Sequence, residues 1–248
     1  MTPRAISGPP VEPVPVPAAV ARLAGGDEIV PVWRNELGGV TFRLDGADGR
    51  VRYAKWIAAG RPGIDLEGEA ARLAWAHGRV PVPRVLEQGR DADGSWLVTE
   101  AVPGRSAVDP RWVAEPATAA AAIGRGLRLL HDALPVDECP FDWGVEHRLA
   151  RKGCCDPDLL APPPIDRLVV CHGDACAPNT LLHDDGTFAA HVDLGSLGVA
   201  DRWADLAVAA WSTEWNFGPG HEDAVHAGYG IAPDPVRIAY YRRLWDAT

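Results

Sequence analysis

Residues 171–198 read CHGDACAPNTLLHDDGTFAAHVDLGSLG, and the way this stretch must run decides the fold. The apolar pieces RLVVC, NTLLH and FAAHVD are too short for helices and rich enough in β-formers for strands. Asp184-Asp185-Gly186-Thr187 lies between the last two as a hairpin turn. The stretch is therefore a short β insertion, and its loops hold the densest polar chemistry of the chain. Asp174 and Asn179 stand five residues apart behind His172 and Gly173, and Asp193-Leu194-Gly195 follows the hairpin. Any one of these alone could do no more than close an Asx-turn in a Gly/Pro-rich loop. As an ordered set they offer what phosphoryl transfer needs: one carboxylate to accept a hydroxyl proton, and two hard-oxygen ligands to hold Mg²⁺ against nucleotide phosphates.

Upstream, from Ile29 to about Glu100, runs such as IVPVWR, VTFRL, VRYAKWI and SWLVTE are separated by Gly/Asp turns. One helix interrupts them, Leu66–His77, with Leu66, Ala70, Leu73 and Ala74 on one stripe and Gly78 as its stop. The expected order is β-β-β-α-β-β. Lys55 and Lys152 are the only lysines, and Lys55 sits in a strand with Glu69 fourteen residues on in the helix. A strand lysine held by a helix glutamate aims an ammonium at nucleotide phosphates; Glu67 is the alternative partner, and a snorkelling surface lysine the alternative role. Gly38-Gly39, ahead of that strand, lets backbone N–H groups approach phosphate oxygens, or makes a turn and nothing more.

Downstream of Gly104 the periodicity becomes helical. Helices are expected over Thr118–Leu134 with Pro116 near the start, over Val145–Arg151, over Trp203 to about Thr213, and over Pro235–Asp246 with Asp234 as N-cap. Residues 1–17 hold six prolines and almost no charge, which suits an extended or disordered arm.

The 248 residues carry 34 acidic against 24 basic side chains, net −10, which argues against nucleic acid or anionic lipid bound by bulk charge. No apolar run approaches the roughly 20 residues of a membrane span, and the N-terminus lacks a secretion-signal core, so a cytoplasmic address is expected. Five cysteines (Cys139, Cys154, Cys155, Cys171, Cys176) without C-x-x-C spacing suit reduced thiols without structural zinc. The acids concentrate late: residues 1–100 hold 13 acids and 12 bases, whereas residues 101–248 hold 21 and 12, net −9. That field would attract a polycation, although an acidic helical half is also simply a soluble one. Carboxylates there, notably Glu214 and Asp246, are the candidates to bind substrate ammonium groups.

The set Lys55, Glu69, His172-Gly173-Asp174, Asn179 and Asp193-Leu194-Gly195 resembles the aminoglycoside O-phosphotransferase family, over roughly residues 27–248. CHGDACAPNTLL and HVDLGSLGVADRWADLAVA are similar to its 3'-hydroxyl kinases in particular, and CPFDWGVEHRLA and YYRRLWDAT fit as well. The resemblance implies a two-lobed protein-kinase-like α+β fold. A Pro-rich arm would span 1–26, a nucleotide-binding lobe with a small antiparallel sheet and one helix 27–101, and a mainly helical lobe with catalytic loop and acceptor site 102–248. It implies ATP and Mg²⁺ as cofactors, an aminoglycoside as acceptor and antibiotic resistance as the outcome, in a monomer or weak dimer. Carried across, Asp174 would be the catalytic base, Asn179 and Asp193 the metal ligands, and Lys55 with Glu69 the phosphate anchor. The Thr99-Glu100-Ala101 backbone would face adenine. Asp205 would brace the catalytic loop, its other readings being a helix cap or an exposed carboxylate. A kinase of another small cation such as choline, or a catalytically silent nucleotide-binding regulator, are the alternatives. The sequence departs from the family pattern in three places: a short segment over 152–166, Ser196 after the D-L-G where Arg is usual, and Glu214-Trp215-Asn216 where an acidic pair is expected.

Overall fold

The computed structural model describes residues 7–153 and 156–248; the expectations for residues 1–6, Cys154 and Cys155 lie outside the described residues. The chain forms two compact units, one made of residues up to Trp75 with Pro83–Ala101, the other of Ala76–Val82 with Val102–Thr248.

The first unit holds α1 (Ala18–Ala24), β1 (Glu28–Arg34), β2 (Val40–Asp45), β3 (Val51–Ala58), most of α2 (Leu66–Ala76), β4 (Val85–Arg90) and β5 (Gly94–Glu100). Its strands pair antiparallel in the order β1-β2-β3-β5-β4. Alternation of side chains along each strand divides the residues between two faces. Val40, Phe42, Leu44, Ala54, Trp96 and Val98 pack with Ala19, Val20 and Ala24 of α1. The opposite positions, Lys55, Ile57 and Leu97, belong to the face that meets α2. Within the expected arm over 1–26, the part over Ala18–Ala24 is corrected: it is a helix within the first core with Val20 fully buried, and Gly8 ahead of it pairs with Arg34.

The second unit comprises β6 (Arg105–Ser106), α3 (Pro110–Val113), α4 (Pro116–Ala133), α5 (Val145–Lys152), β7 (Leu168–Cys171), β8 (Thr180–Leu182), β9 (Phe188–His191), β10 (Gly198–Asp201), α6 (Trp203–Phe217), α7 (Glu222–Tyr229) and α8 (Pro235–Ala247). Helix α6 is its centre, with ten of fifteen residues buried. Asp234 caps α8 by accepting from Val236 and Arg237 N–H, as its position before Pro235 suggests. Among the described residues of the 152–166 segment no helix follows α5; the chain is pinned instead to α8 through Tyr240 Oη on Leu159 O and Arg243 on Asp156 and Asp158.

The small sheets place the loops. Strand β7 pairs with β10 so that Cys171 opposes Gly198, which makes the segments 172–176 and 193–197 leave one end of that pair together. The hairpin β8–β9 turns at 183–187 as expected, and Thr180 opposes His191, which brings Asn179 and Val192 side by side. No helix among the described residues is long and apolar enough to cross a membrane.

Candidate active site

In the first unit, Lys55 lies in mid-strand, between Thr41 of β2 and Leu97 of β5. Its Nζ is 2.6 Å from Glu69 Oε1 on α2, and Glu69 is 4 % exposed. Asp65 starts that helix: its carboxylate accepts Gly68 N–H at 2.8 Å and its carbonyl accepts Glu69 N–H. Glu67, the alternative partner, points to solvent. Helix α2 buries Leu66, Ala70 and Leu73 on the sheet, and Glu69 is one step from that stripe, so packing fixes where the carboxylate stands.

Two sequence expectations in this unit meet engaged amides. Gly38 and Gly39 close a tight turn in which Gly38 N–H donates to Asn35 O and Gly39 N–H to Asn35 Oδ1. Both N–H groups expected to face phosphate are thus satisfied internally. Ala101 N–H donates to Val51 O, and the neighbouring Glu100 N–H to Arg84 O, while Thr99 is paired on both sides, with Tyr53 and Val85. The sheet register therefore takes up the N–H groups of Glu100 and Ala101 within the backbone that the resemblance sets against adenine.

The second unit assembles the remaining set around Asp205. This carboxylate is fully buried in α6, where Oδ2 accepts His172 N–H at 2.6 Å and Oδ1 accepts Gly173 N–H at 2.9 Å. His131 Nε2 lies 3.0 Å from the same carboxylate, with Tyr229 Oη 3.0 Å from its Nδ1. Burial alone would lift the Asp205 pKa, but the hydrogen bond and charge of His131, with the loop amides, hold it below the usual carboxylate value. Asp205 thus braces the loop, and neither caps a helix by its side chain nor faces water.

His172 links this loop to the next. Its Nδ1 accepts Asp174 N–H and its Nε2 donates to Val192 O at 3.0 Å, while Val192 N–H donates to Asn179 O. The residue before Asp193 is thereby held at both its polar groups. Gly173 has φ +84, and a Cβ there would run into the Ser196 carbonyl, so only glycine lets the two loops touch. Asp193 itself has φ 64, the one non-glycine residue in the left-handed region among the described residues. Strain of this kind, about 1–3 kcal/mol, persists where surrounding contacts over-determine the backbone.

Asn179 Nδ2 donates to Asp174 O at 2.9 Å and to Asp174 Oδ2 at 3.1 Å, which leaves the buried Oδ1 without an ordinary hydrogen-bond partner. Burial, and then the charge of Asp193, raise the Asp174 pKa. Two carboxylates repelling each other beside an amide make an oxygen-rich site that a small hard cation would relieve, so Asn179 and Asp193, next to Asp174, fit Mg²⁺ chemistry. The Cys176 thiol beside them is pushed well up by burial and by Asp174, which keeps it protonated. Cys139, Cys171 and Cys176 are free thiols.

Ser212, two helical turns beyond Asp205 on α6, accepts Ala177 N–H at 2.9 Å and so holds the far end of the loop. Sequence reading missed Ser212, His131 and Tyr229; the seven-residue spacing of Asp205 and Ser212 was the available signal. Glu214 and Asp246 are exposed, and among the described residues no hydrogen bond or ion pair joins either to the 172–179 loop. A hydrogen bond to Glu222 raises the Glu214 pKa, and Glu222 in turn pairs with Arg242.

The sequence matches a family model described as the phosphotransferase enzyme family over residues 40–153 and 155–241. It is 39 % identical over 228 residues to an aminoglycoside 3'-phosphotransferase of Streptomyces fradiae, covering 77 % of this chain and 84 % of the relative. The fold is similar to the crystal structure of an aminoglycoside-3'-phosphotransferase of type VIII, with a TM-score of 0.77, 34 % identity, and coverage of 93 % of this chain and 98 % of that one. It is also similar to aminoglycoside phosphotransferase APH(3'')-Id from Streptomyces rimosus in complex with ADP and streptomycin, with a TM-score of 0.68, 31 % identity, and coverage of 92 % and 96 %.

Proposed function

Because the chain belongs to the phosphotransferase enzyme family and has the kinase-like α+β fold of its aminoglycoside-modifying relatives, we propose that it transfers the γ-phosphoryl group of ATP to a hydroxyl of an aminoglycoside and so confers resistance. The 3'-hydroxyl is the favoured acceptor, given the 3'-phosphotransferases among its relatives. The observation that carries this reading is the catalytic loop: Asp205 grips the His172 and Gly173 amides, and Asn179 fixes one oxygen of Asp174 while the Cys176 thiol is the carboxylate's other neighbour. A carboxylate held in this way and raised in pKa is suited to accept the proton of an attacking hydroxyl.

In this mechanism Asp174 Oδ1 takes the substrate proton as the hydroxyl oxygen bonds to phosphorus. Asn179 and Asp193 would hold Mg²⁺, which when bound neutralises charge on the phosphates and favours departure of ADP. Lys55, aimed by Glu69, holds the non-transferred phosphates. Asp205, His172 and Ser212 fix the loop before substrate arrives, so little reorganisation remains for the transition state.

The test is ADP release from Mg-ATP with a panel of aminoglycosides, including one that lacks the 3'-hydroxyl, and with choline. Aminoglycoside-dependent release that disappears with the 3'-deoxy compound is expected. Release with choline alone would make the chain a kinase of another cation, and tight nucleotide binding with no release on any acceptor would make it a regulator.

A further inference from the structure

Asn179 closes a single 3₁₀ turn, Ala177–Asn179. One such turn has too few internal hydrogen bonds to fix its own end, so the place of the Asn179 side chain depends on what holds the two peptide groups beside it. Each of their four polar atoms has a partner. Asn179 N–H donates to Cys176 O at 3.0 Å, Thr180 N–H donates to Ala177 O, and Asn179 O accepts Val192 N–H at 2.9 Å. The fourth, Pro178 O, accepts the Ser106 hydroxyl at 2.9 Å. The first three contacts are backbone to backbone; Ser106 alone contributes a side chain, and it comes from 72 residues away in the sequence.

Several features of the chain put that hydroxyl in place. Ser106 ends β6, whose Arg105 and Ser106 oppose Leu182 and Leu181 of β8. Gly104 has φ +131, and a Cβ there would stand 3.0 Å from both Leu182 O and Ala189 Cβ, so a glycine is what lets β6 lie against the hairpin. Beyond Ser106, Ala107 is fully buried and its N–H donates to Thr180 O at 2.8 Å. Ser106 Oγ also accepts Val108 N–H at 3.3 Å, which leaves the hydroxyl proton for Pro178 O. A serine that served only its own turn would stop at the local amide; this one holds a carbonyl of the catalytic loop as well.

We propose that Ser106 is a positioning residue for Asn179: by fixing the Pro178–Asn179 peptide it sets where the Asn179 oxygen stands as a ligand for Mg²⁺. The proposal rests on the reading of the chain as a metal-dependent kinase. Asn179 Nδ2 is engaged by Asp174, so Oδ1 is the side-chain atom left to bind a cation, and its direction follows the backbone beneath it. Mg²⁺ tolerates little departure from octahedral geometry, which makes a small swing of that peptide costly in metal affinity. Among the described residues no hydrogen bond joins Ser106 to Asp174, so the loss of its hydroxyl is felt in metal binding and not in acceptor binding.

The test compares the parent chain with Ser106→Ala, Ser106→Thr and Arg105→Ala. Two quantities are read: the free Mg²⁺ concentration that gives half-maximal ADP release with ATP and kanamycin, and the affinity for Mn²⁺ in the presence of ADP, from the electron paramagnetic resonance of the free ion. Ser106→Ala should weaken both about fivefold, the scale of one hydrogen bond, and leave the kanamycin KM in place. Ser106→Thr, which keeps the hydroxyl, should stay near the parent. Arg105→Ala removes the ion pairs of the same strand with Asp109 and Asp184 without touching Pro178, and should change neither quantity. The proposal fails if Ser106→Ala binds Mn²⁺ as the parent does, if Ser106→Thr is no better than Ser106→Ala, if Arg105→Ala shifts both quantities as much, or if the kanamycin KM rises in step. Should the parent release no ADP with any aminoglycoside, the kinase reading fails separately, and Mn²⁺ affinity beside ADP decides the role of Ser106 by the same comparison. A parent that binds no Mn²⁺ beside ADP overturns the proposal together with the metal role of Asn179.

Discussion

Asp174, half-buried, and Asp205, fully buried, are two carboxylates in one unit whose environments push them in opposite directions. Asp174, raised by burial and by Asp193, disfavours its own charged form in the folded chain. The native state therefore holds that proton more tightly than the unfolded state, and stability falls as pH rises from the ordinary value of 3.8 through the folded one. Asp174→Asn should accordingly melt above the parent near neutral pH, and the gap should close as pH falls below 4; a melting curve against pH reads it. Asp205 is the reverse, since its depressed value contributes stability above 3.8 that is lost as pH falls through the folded pKa. Asp205→Ala strands His131 and the His172 and Gly173 amides, which should cost about 3–5 kcal/mol in denaturant unfolding. The convergence of Asp174, Asn179 and Asp193 was legible because their spacing is a local property of one stretch. The engagement of Gly38, Gly39 and Ala101 amides was not, since the partner of a backbone N–H is set by register with a distant strand.

Among the elements, α4, α5 and α8 were readable from stripe, cap and stop signals that lie within each segment: Pro116 at the start of α4, Gly153 in the left-handed conformation after α5, and Asp234 before α8. Helix α1 was not, because the prolines ahead of it made the whole terminus look like an arm, and seven residues are too few to show periodicity. Strands β6 and β10, of two and four residues, exist through their partners β8 and β7. Helix α1 nonetheless covers Phe42, Leu44 and Ala54. Val20→Ala should therefore destabilise the chain by about 1–3 kcal/mol, and a change below 0.5 kcal/mol in denaturant unfolding would mean that α1 is dispensable to the first core.

At the scale of the whole molecule, charge separates along the sequence, with net −9 over residues 101–248 against −1 over residues 1–100. If that acidity concentrates a polycation at the acceptor site, the KM for an aminoglycoside should rise with ionic strength as the Debye length falls below about 10 Å, while kcat moves much less. A KM indifferent to salt would reduce the acidity to a solubility feature.

The most direct measurement is steady-state turnover of Asp174→Asn with Mg-ATP and an aminoglycoside, beside nucleotide affinity measured on the same protein. Removal of the proton acceptor with the loop contacts otherwise kept should lower kcat by about 10² to 10⁴-fold and leave ATP affinity close to that of the parent. A variant that turns over at nearly the parental rate would contradict the assignment of Asp174 as the base, and with it the phosphoryl-transfer chemistry built on this loop.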